Sequence, residues 1–227
     1  QDGSPLTTAY CVDVPDQIFQ AFADNEAVTS GVTFTLDGVN LTVTNGQVTI
    51  SPSTRTPGDY VLQMRYVSDV NPFCENVVSE TITINALPVV DIVLESDNTV
   101  GIDGLGFCYD DDPVVFRGLA DNIAAATGTF SGRGITDNGD GTASFDPELA
   151  ANAAGQGREG DPTTHDITFT YTDSDTNCEN VITRTVLVSP QPTVDIIYLS
   201  NNNSIQDSRI CFDEGLVQMR VRVEIGG

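Results

Sequence analysis

The chain has no lysine, no tryptophan and a single histidine, His165. Without lysine there is no Schiff-base chemistry, and none of the Lys–Asn cross-links that some bacterial surface repeats use. The cations are nine arginines set against 33 acidic residues, a formal charge of −24 over 227 residues. A surface this negative repels phosphates and anionic headgroups, which argues against nucleic acid and membrane surfaces as partners. No apolar run approaches the length that spans a bilayer, so direct membrane insertion is not expected. The first residues are not basic-then-apolar, so an export signal is expected outside this stretch. What is left is apolar enough to fold, since 39% hydrophobic residues and a further 20 glycines fall in the globular range.

Five cysteines carry more information than any absence. Cys11, Cys108 and Cys211 share one context, in Tyr10-Cys11-Val12-Asp13, Phe107-Cys108-Tyr109-Asp110 and Ile210-Cys211-Phe212-Asp213. Cys74 and Cys178 share another, opening Cys74-Glu75-Asn76-Val77-Val78 and Cys178-Glu179-Asn180-Val181-Ile182, 104 positions apart. Pro88-Val89-Val90-Asp91-Ile92 and Pro192-Thr193-Val194-Asp195-Ile196 repeat at the same interval. An internal repeat of about a hundred residues follows. Pairing within each repeat predicts the bridges Cys11–Cys74 and Cys108–Cys178, and leaves Cys211 without a partner before Gly227. No CxxC spacing suits zinc or redox work. Paired cysteines place the chain in an oxidising compartment, the periplasm or the cell exterior.

Between the cysteines the periodicity is that of half-buried strands. Val32–Leu36, Leu41–Thr44 and Val48–Ile50 alternate apolar residues with Thr, and Asp37-Gly38, Asn45-Gly46 and Pro57-Gly58-Asp59 supply turn chemistry. Tyr60–Tyr66 and Thr81–Ile84 complete repeat one. Repeat two follows with Pro113–Phe116, Gly128–Phe130, Thr142–Phe145, Ile167–Tyr171 and Val181–Val188, while the Ala-rich Pro147–Ala154 reads as a short helical turn before a mobile Gly-rich loop, Gly155–Pro162. About seven short strands per hundred residues predict an all-β fold of tandem immunoglobulin-like β-sandwiches, with one disulfide each. The repeat sets the boundaries: 1–88 for repeat one, 89–191 for repeat two and 192–227 for the start of a truncated third, joined by short Pro-containing segments.

These residues resemble a known family. Gly128-Thr129-Phe130-Ser131-Gly132-Arg133-Gly134-Ile135, then Gly141-Thr142-Ala143-Ser144-Phe145-Asp146-Pro147, then Ile167-Thr168-Phe169-Thr170-Tyr171-Thr172-Asp173 and Cys178-Glu179-Asn180 look like the PKD-like or Ig-like repeats of very large Bacteroidota surface proteins. That group includes gliding-motility adhesins of the SprB kind exported by the type 9 secretion system. The resemblance covers residues 89–190 well, repeat one loosely and repeat three at its start. It implies a cell-surface, stalk-like or adhesive role and transfers no catalytic residue.

Candidates for chemistry are few. His165, in a Thr-Thr-His-Asp context, has no nucleophile setting such as Gly-x-Ser-x-Gly and reads as a surface histidine. Asp137-Asn138-Gly139-Asp140-Gly141 starts like an EF-hand loop, but Gly139 falls where a ligand is needed and the closing Glu is missing, so a hairpin turn is expected. Arg133, between glycines, reads as an exposed cation offsetting the acidity. If Cys108 and Cys178 are bonded, Asp110-Asp111-Asp112 and the pair Asp173 and Asp175 crowd one end of the sandwich, where they stay solvated or recruit Ca²⁺; the solvated reading is preferred and no metal ligand or cofactor is assigned.

Three classes of function are open at this point. The leading one is a non-enzymatic structural or adhesive segment of a large secreted or cell-surface bacterial protein, whose partners are neighbouring repeats, a surface glycan or protein, or further copies paired edge to edge in a filament. The second is a glycan- or protein-binding module proper, thinly supported by six tyrosines and no tryptophan. The third is the accessory Ig-like region of an extracellular enzyme.

Overall fold

Threonine alternating with apolar residues, punctuated by Asp-Gly and Asn-Gly, folds as strands and tight hairpins. The computed structural model describes residues 8–69, 73–153, 161–198 and 219–224. The chain is nearly all β and divides into two units, Gln1–Pro88 with Thr172–Asn180, and Val89–Tyr171 with Val181–Gly227. Among the described residues no helix is long and apolar enough to cross a membrane.

In unit one the strands are β1 (Ala9–Cys11), β2 (Gln17–Gln20), β3 (Phe22–Ala23), β4 (Glu26–Ala27), β5 (Val32–Leu36), β6 (Val39–Asn40), β7 (Gln47–Ile50), β8 (Gly58–Val67) and β9 (Glu75–Asn85). They form one five-stranded sheet in the order β1-β9-β8-β5-β6, a second sheet of β2 and β7, and the short hairpin β3-β4. Phe34, Leu36, Leu62 and Ile82 from the first sheet bury against Val48 and Ile50 from the second. This is an immunoglobulin-like sandwich. Leu41–Thr44, expected as a strand, is not one: β6 stops after two pairs with β5, and the chain then crosses from the first sheet to β7 of the second. Nor is Pro57-Gly58-Asp59 a turn. Gly58 and Asp59 already belong to β8, and the chain bends earlier, at a 3-10 turn over Pro52–Thr54.

Unit two contains β10 (Val90–Leu94), β11 (Asp97–Gly101), β12 (Gly106–Cys108), β13 (Val114–Ala120), β14 (Ile123–Ala124), β15 (Thr129–Gly132), β16 (Ile135–Asp137), β17 (Thr142–Phe145) and helix α1 (Pro147–Ala153). Strands β18 (Thr163–Thr172) and β19 (Glu179–Ser189) follow, then the antiparallel pair β20 (Thr193–Tyr198) and β21 (Met219–Glu224). The sheets run β11-β10-β13-β17-β16, with β14 beside β13, and β12-β19-β18-β15. Between them lie Ile92, Phe116, Phe145, Ile167, Phe169 and Val186, all fully buried. Helix α1 begins where the sequence leads one to expect: Pro147 suits the first helical position, and Asp146 Oδ1 accepts the Leu149 N–H at 3.0 Å as its cap. Most of the Gly-rich loop and all of Cys211 fall outside the described residues.

The repeat is built twice to the same register. In repeat one β1 pairs in parallel with β9 as Ala9↔Thr83, Tyr10↔Ile84 and Cys11↔Asn85. In repeat two β12 pairs with β19 as Gly106↔Leu187, Phe107↔Val188 and Cys108↔Ser189, each partner in its equivalent place. A hairpin without glycine recurs too, with Asp24-Asn25 and Asp121-Asn122 at φ between 50° and 66°. Asp and Asn tolerate this left-handed region better than other side chains, and this pair of dipeptides is a turn signal the sequence reading passed over. At Gly46 (φ 74°) a Cβ would stand 1.7 Å from the Val28 carbonyl oxygen, and at Gly141 (φ 76°) it would stand 2.1 Å from the Ala125 carbonyl oxygen.

His165 corrects an expectation. It is 3% exposed rather than on the surface, because β18 alternates and His165 shares the inward face of Ile167 and Phe169. Its Nε2 shares a 2.7 Å hydrogen bond with Thr163 Oγ1, while Nδ1 is buried with no hydrogen-bond partner. Burial pushes its pKa below the ordinary histidine value, the Arg133 charge adds to that, and Asp166 pulls the other way.

Two predictions arise from the packing. A Cβ on Gly118 would stand 2.2 Å from the Phe169 ring. Gly118→Ala should therefore cost about 1–3 kcal/mol in urea unfolding, whereas Gly106→Ala, with nothing within 4 Å, should stay within about 0.5 kcal/mol of the parent. For His165, the folded protein holds the imidazole neutral while the unfolded chain takes up a proton at its ordinary value, so stability is fully present above about pH 6.5 and falls as the pH drops below it. His165→Gln should flatten that slope just below about pH 6.5, leaving the loss at lower pH that belongs to carboxylates; an unchanged slope in equilibrium unfolding would show that His165 is not its source.

Candidate functional site

Each repeat ends on a long strand, β9 or β19, of eleven residues introduced by a cysteine. The other cysteine of the same repeat pairs with the far end of that strand, Cys11 opposite Asn85 and Cys108 opposite Ser189. At about 3.3 Å per residue the two cysteines of one repeat stand roughly 35 Å apart, and a disulfide needs Cα atoms within about 7 Å. The expected pairs Cys11–Cys74 and Cys108–Cys178 are therefore not formed. Cys11 instead bonds Cys178, with an S–S distance of 2.02 Å and Cα atoms 5.6 Å apart across 167 residues of sequence. Cys74 and Cys108 are unbonded and exposed. There is one bridge in the described chain rather than one per repeat, and it joins the first cysteine of repeat one to the second cysteine of repeat two.

The turn that presents Cys178, within Thr172–Asn180, belongs to unit one. Asp173 organises it: its Oδ1 accepts the Thr176 N–H and the Thr176 hydroxyl, both at 2.8 Å, and the Asp175 N–H at 3.1 Å. The Thr176 hydroxyl, then the backbone N–H groups, hold its carboxyl below the usual carboxylate range. Asp173 N–H closes the turn on the Cys178 carbonyl at 2.9 Å, and Asn180 Nδ2 donates to the Pro88 carbonyl at 2.8 Å. Cys178 is fully buried there.

The acidic groups do not assemble as the expected bridge would have required. Asp110-Asp111-Asp112 follows the cysteine at the Ser189 end of β19, and Asp173 and Asp175 precede the cysteine at the Glu179 end. Asp111 Oδ2 accepts the Cys108 N–H at 2.7 Å, and Gln191 Nε2 donates to Asp110 Oδ2. Among the described residues no three His, Cys, Asp or Glu side chains converge as a metal would need. Asp137–Gly141 is the expected hairpin: Asp140 Oδ1 accepts the Thr142 N–H at 3.1 Å and its hydroxyl at 2.6 Å, joining β16 to β17. Arg133 is exposed. Two other arginines pair with acids across neighbouring strands or their extensions, Arg65 with Glu75 and Arg117 with Glu95, and Arg184 in β19 of one sheet of unit two pairs with Asp91 in β10 of the other.

Removing the bridge should matter more than removing the other thiols. In the chain-entropy account a loop of this length contributes about 5 kcal/mol. Cys11→Ser with Cys178→Ser should lower the thermal midpoint of unit one by about 20 °C or more, at roughly 4–8 °C per kcal/mol for a unit of this size, and Cys74→Ser with Cys108→Ser should leave it within about two degrees, as read by calorimetry on both variants.

No protein-family model matches the chain, and neither does any curated protein. Among solved structures, the fibronectin(III)-like modules of Clostridium thermocellum CbhA align at 10% identity and a TM-score of 0.39, over 84% of this chain and 92% of theirs. A Ca²⁺-stabilized adhesin that helps an Antarctic bacterium bind ice aligns at 16% identity and a TM-score of 0.34, over 82% of this chain and 48% of that one. A SusE-like, surface-located polysaccharide-binding protein of the Bacteroides thetaiotaomicron heparin utilisation locus aligns at 12% identity and a TM-score of 0.36, over 85% of this chain and 35% of that one.

Proposed function

We propose that the chain is a structural and adhesive tandem-repeat segment of a large secreted or cell-surface bacterial protein, spacing or presenting a binding region and catalysing nothing itself. The observation that carries this reading is the bridge from Cys11 to Cys178, which ties one repeat to the next. A disulfide of this kind persists outside the reducing cytoplasm, and a cross-tie between repeats suits an array. The charge of −24 supports it as well, since self-repulsion keeps such a segment soluble and away from anionic surfaces. The resemblance of residues 89–190 to the repeats of SprB-like gliding adhesins supports, as the source, a Bacteroidota surface protein exported by the type 9 system. Its partners in this reading are neighbouring repeats and a surface glycan or protein.

Antibodies against the chain should label intact cells of the source bacterium and lose that label after brief protease treatment. Cells lacking the segment should keep their growth rate but adhere less to a solid surface. Labelling that requires permeabilised cells would overturn the surface assignment, and unchanged adherence would overturn the adhesive one.

A further inference from the structure

The bridge has a rule in it. It joins a first-type cysteine, Cys11 in β1, to the second-type cysteine of the next repeat, Cys178 ahead of β19. The two unbonded cysteines are one of each type and occupy the same places. Cys108 sits in β12 opposite Ser189 in the register that Cys11 holds opposite Asn85. Cys74 stands directly ahead of β9 as Cys178 stands ahead of β19. Neither can reach the other cysteine of its own repeat, for the reason of strand length given above.

The surroundings of Cys74 add an independent observation. In repeat two Cys178 is fully buried, Asn180 is half-buried with its amide on the Pro88 carbonyl, and Ile182 is half-buried. Their counterparts in repeat one, Cys74, Asn76 and Val78, are all exposed. They line a groove of about 500 Å³ in unit one together with Phe22, Met64 and Tyr66. Beside it Phe73 is 71% exposed. A groove of mixed polarity with a thiol at its edge, lined also by Asp24 and Glu75, is what the repeat-two positions would become without the segment that carries Cys11 and Pro88.

We propose that the bridges are staggered along the array, each first-type cysteine bonding the second-type cysteine of the following repeat. Cys74 then bonds the first-type cysteine of a preceding repeat, whose closing Pro-containing joint fills the groove at Asn76 and Val78. Cys108 bonds the second-type cysteine of a following repeat. Each bond forms by exchange with a disulfide-carrying oxidoreductase of the export compartment. The Sγ–Sγ bond forms as the carrier's S–S bond breaks, two electrons pass to the carrier, and the two thiol protons end on its sulfurs. This inference rests on the tandem-array reading.

The test is disulfide mapping of the native protein, recovered from the source bacterium, alkylated without reduction, digested and sequenced by mass spectrometry. The Cys11 peptide should be found linked to the Cys178 peptide. The Cys74 peptide should be linked to one of the aromatic-or-Ile–Cys–x–Asp type, and the Cys108 peptide to one of the Cys-Glu-Asn type. Cys74 or Cys108 recovered alkylated, or bonded to a cysteine of its own type, while peptides from adjoining repeats are present, would overturn the staggered pairing and leave the array standing. Absence of any further repeat peptides from the native protein would overturn both.

Discussion

In both repeats a three-residue strand bearing one cysteine is hydrogen-bonded in parallel to the last three residues of an eleven-residue strand that the other cysteine introduces. Strand rise is nearly fixed, so this register separates the two thiols by the length of the sandwich whatever the side chains do. The direction of bonding follows. A cysteine that cannot meet its own repeat-mate is available only to another repeat, and Cys11 meets Cys178. The buried turn around Cys178 and its hydrogen bond from Asn180 to the Pro88 carbonyl accompany that pairing, while Cys74 is unbonded and exposed.

The acidity has a local use that its total conceals. Asp97, Asp140 and Asp173 each accept a hydrogen bond from the hydroxyl of a threonine two or three residues on, and each is held below the usual carboxylate range by that contact first. Asp37 Oδ1 accepts the Val61 N–H, Asp121 Oδ1 the Val89 N–H and Asp103 Oδ1 the Thr185 N–H. Carboxylates at turns thus satisfy backbone donors that a sandwich of short strands leaves unpaired. Dispersing the charge over many turns, each with its own donors, keeps it from concentrating at one site.

Much of the fold was legible because period-two alternation and Gly-containing turns are local signals. Val32–Leu36 and Thr142–Phe145 are strands as read. Residues Leu41, Thr42 and Val43 were misread because apolar alternation also suits a segment that crosses between sheets and buries alternate side chains. His165 was misplaced by its residue type, although its spacing from Ile167 and Phe169 put it on the inward face. The bridge was misassigned for a different reason. Sequence interval reports how often a cysteine recurs, whereas bonding depends on the register of a parallel pair, and no short-range pattern encodes which end of β9 will receive β1.

The bridge also has a mechanical consequence. A tensile force entering the chain before Cys11 and leaving after Cys178 is carried across the sulfur–sulfur bond, and the residues between them are taken out of the path of the load. Both sandwiches could lose their hydrogen bonds without the segment lengthening by the extended span of the loop that the bond closes, a sequence separation of 167, about 600 Å at roughly 3.5 Å per residue. The extensible part is then the chain outside the loop. A tether made this way would yield little under a pull that straightens an unbridged one, and reducing agents would set its compliance.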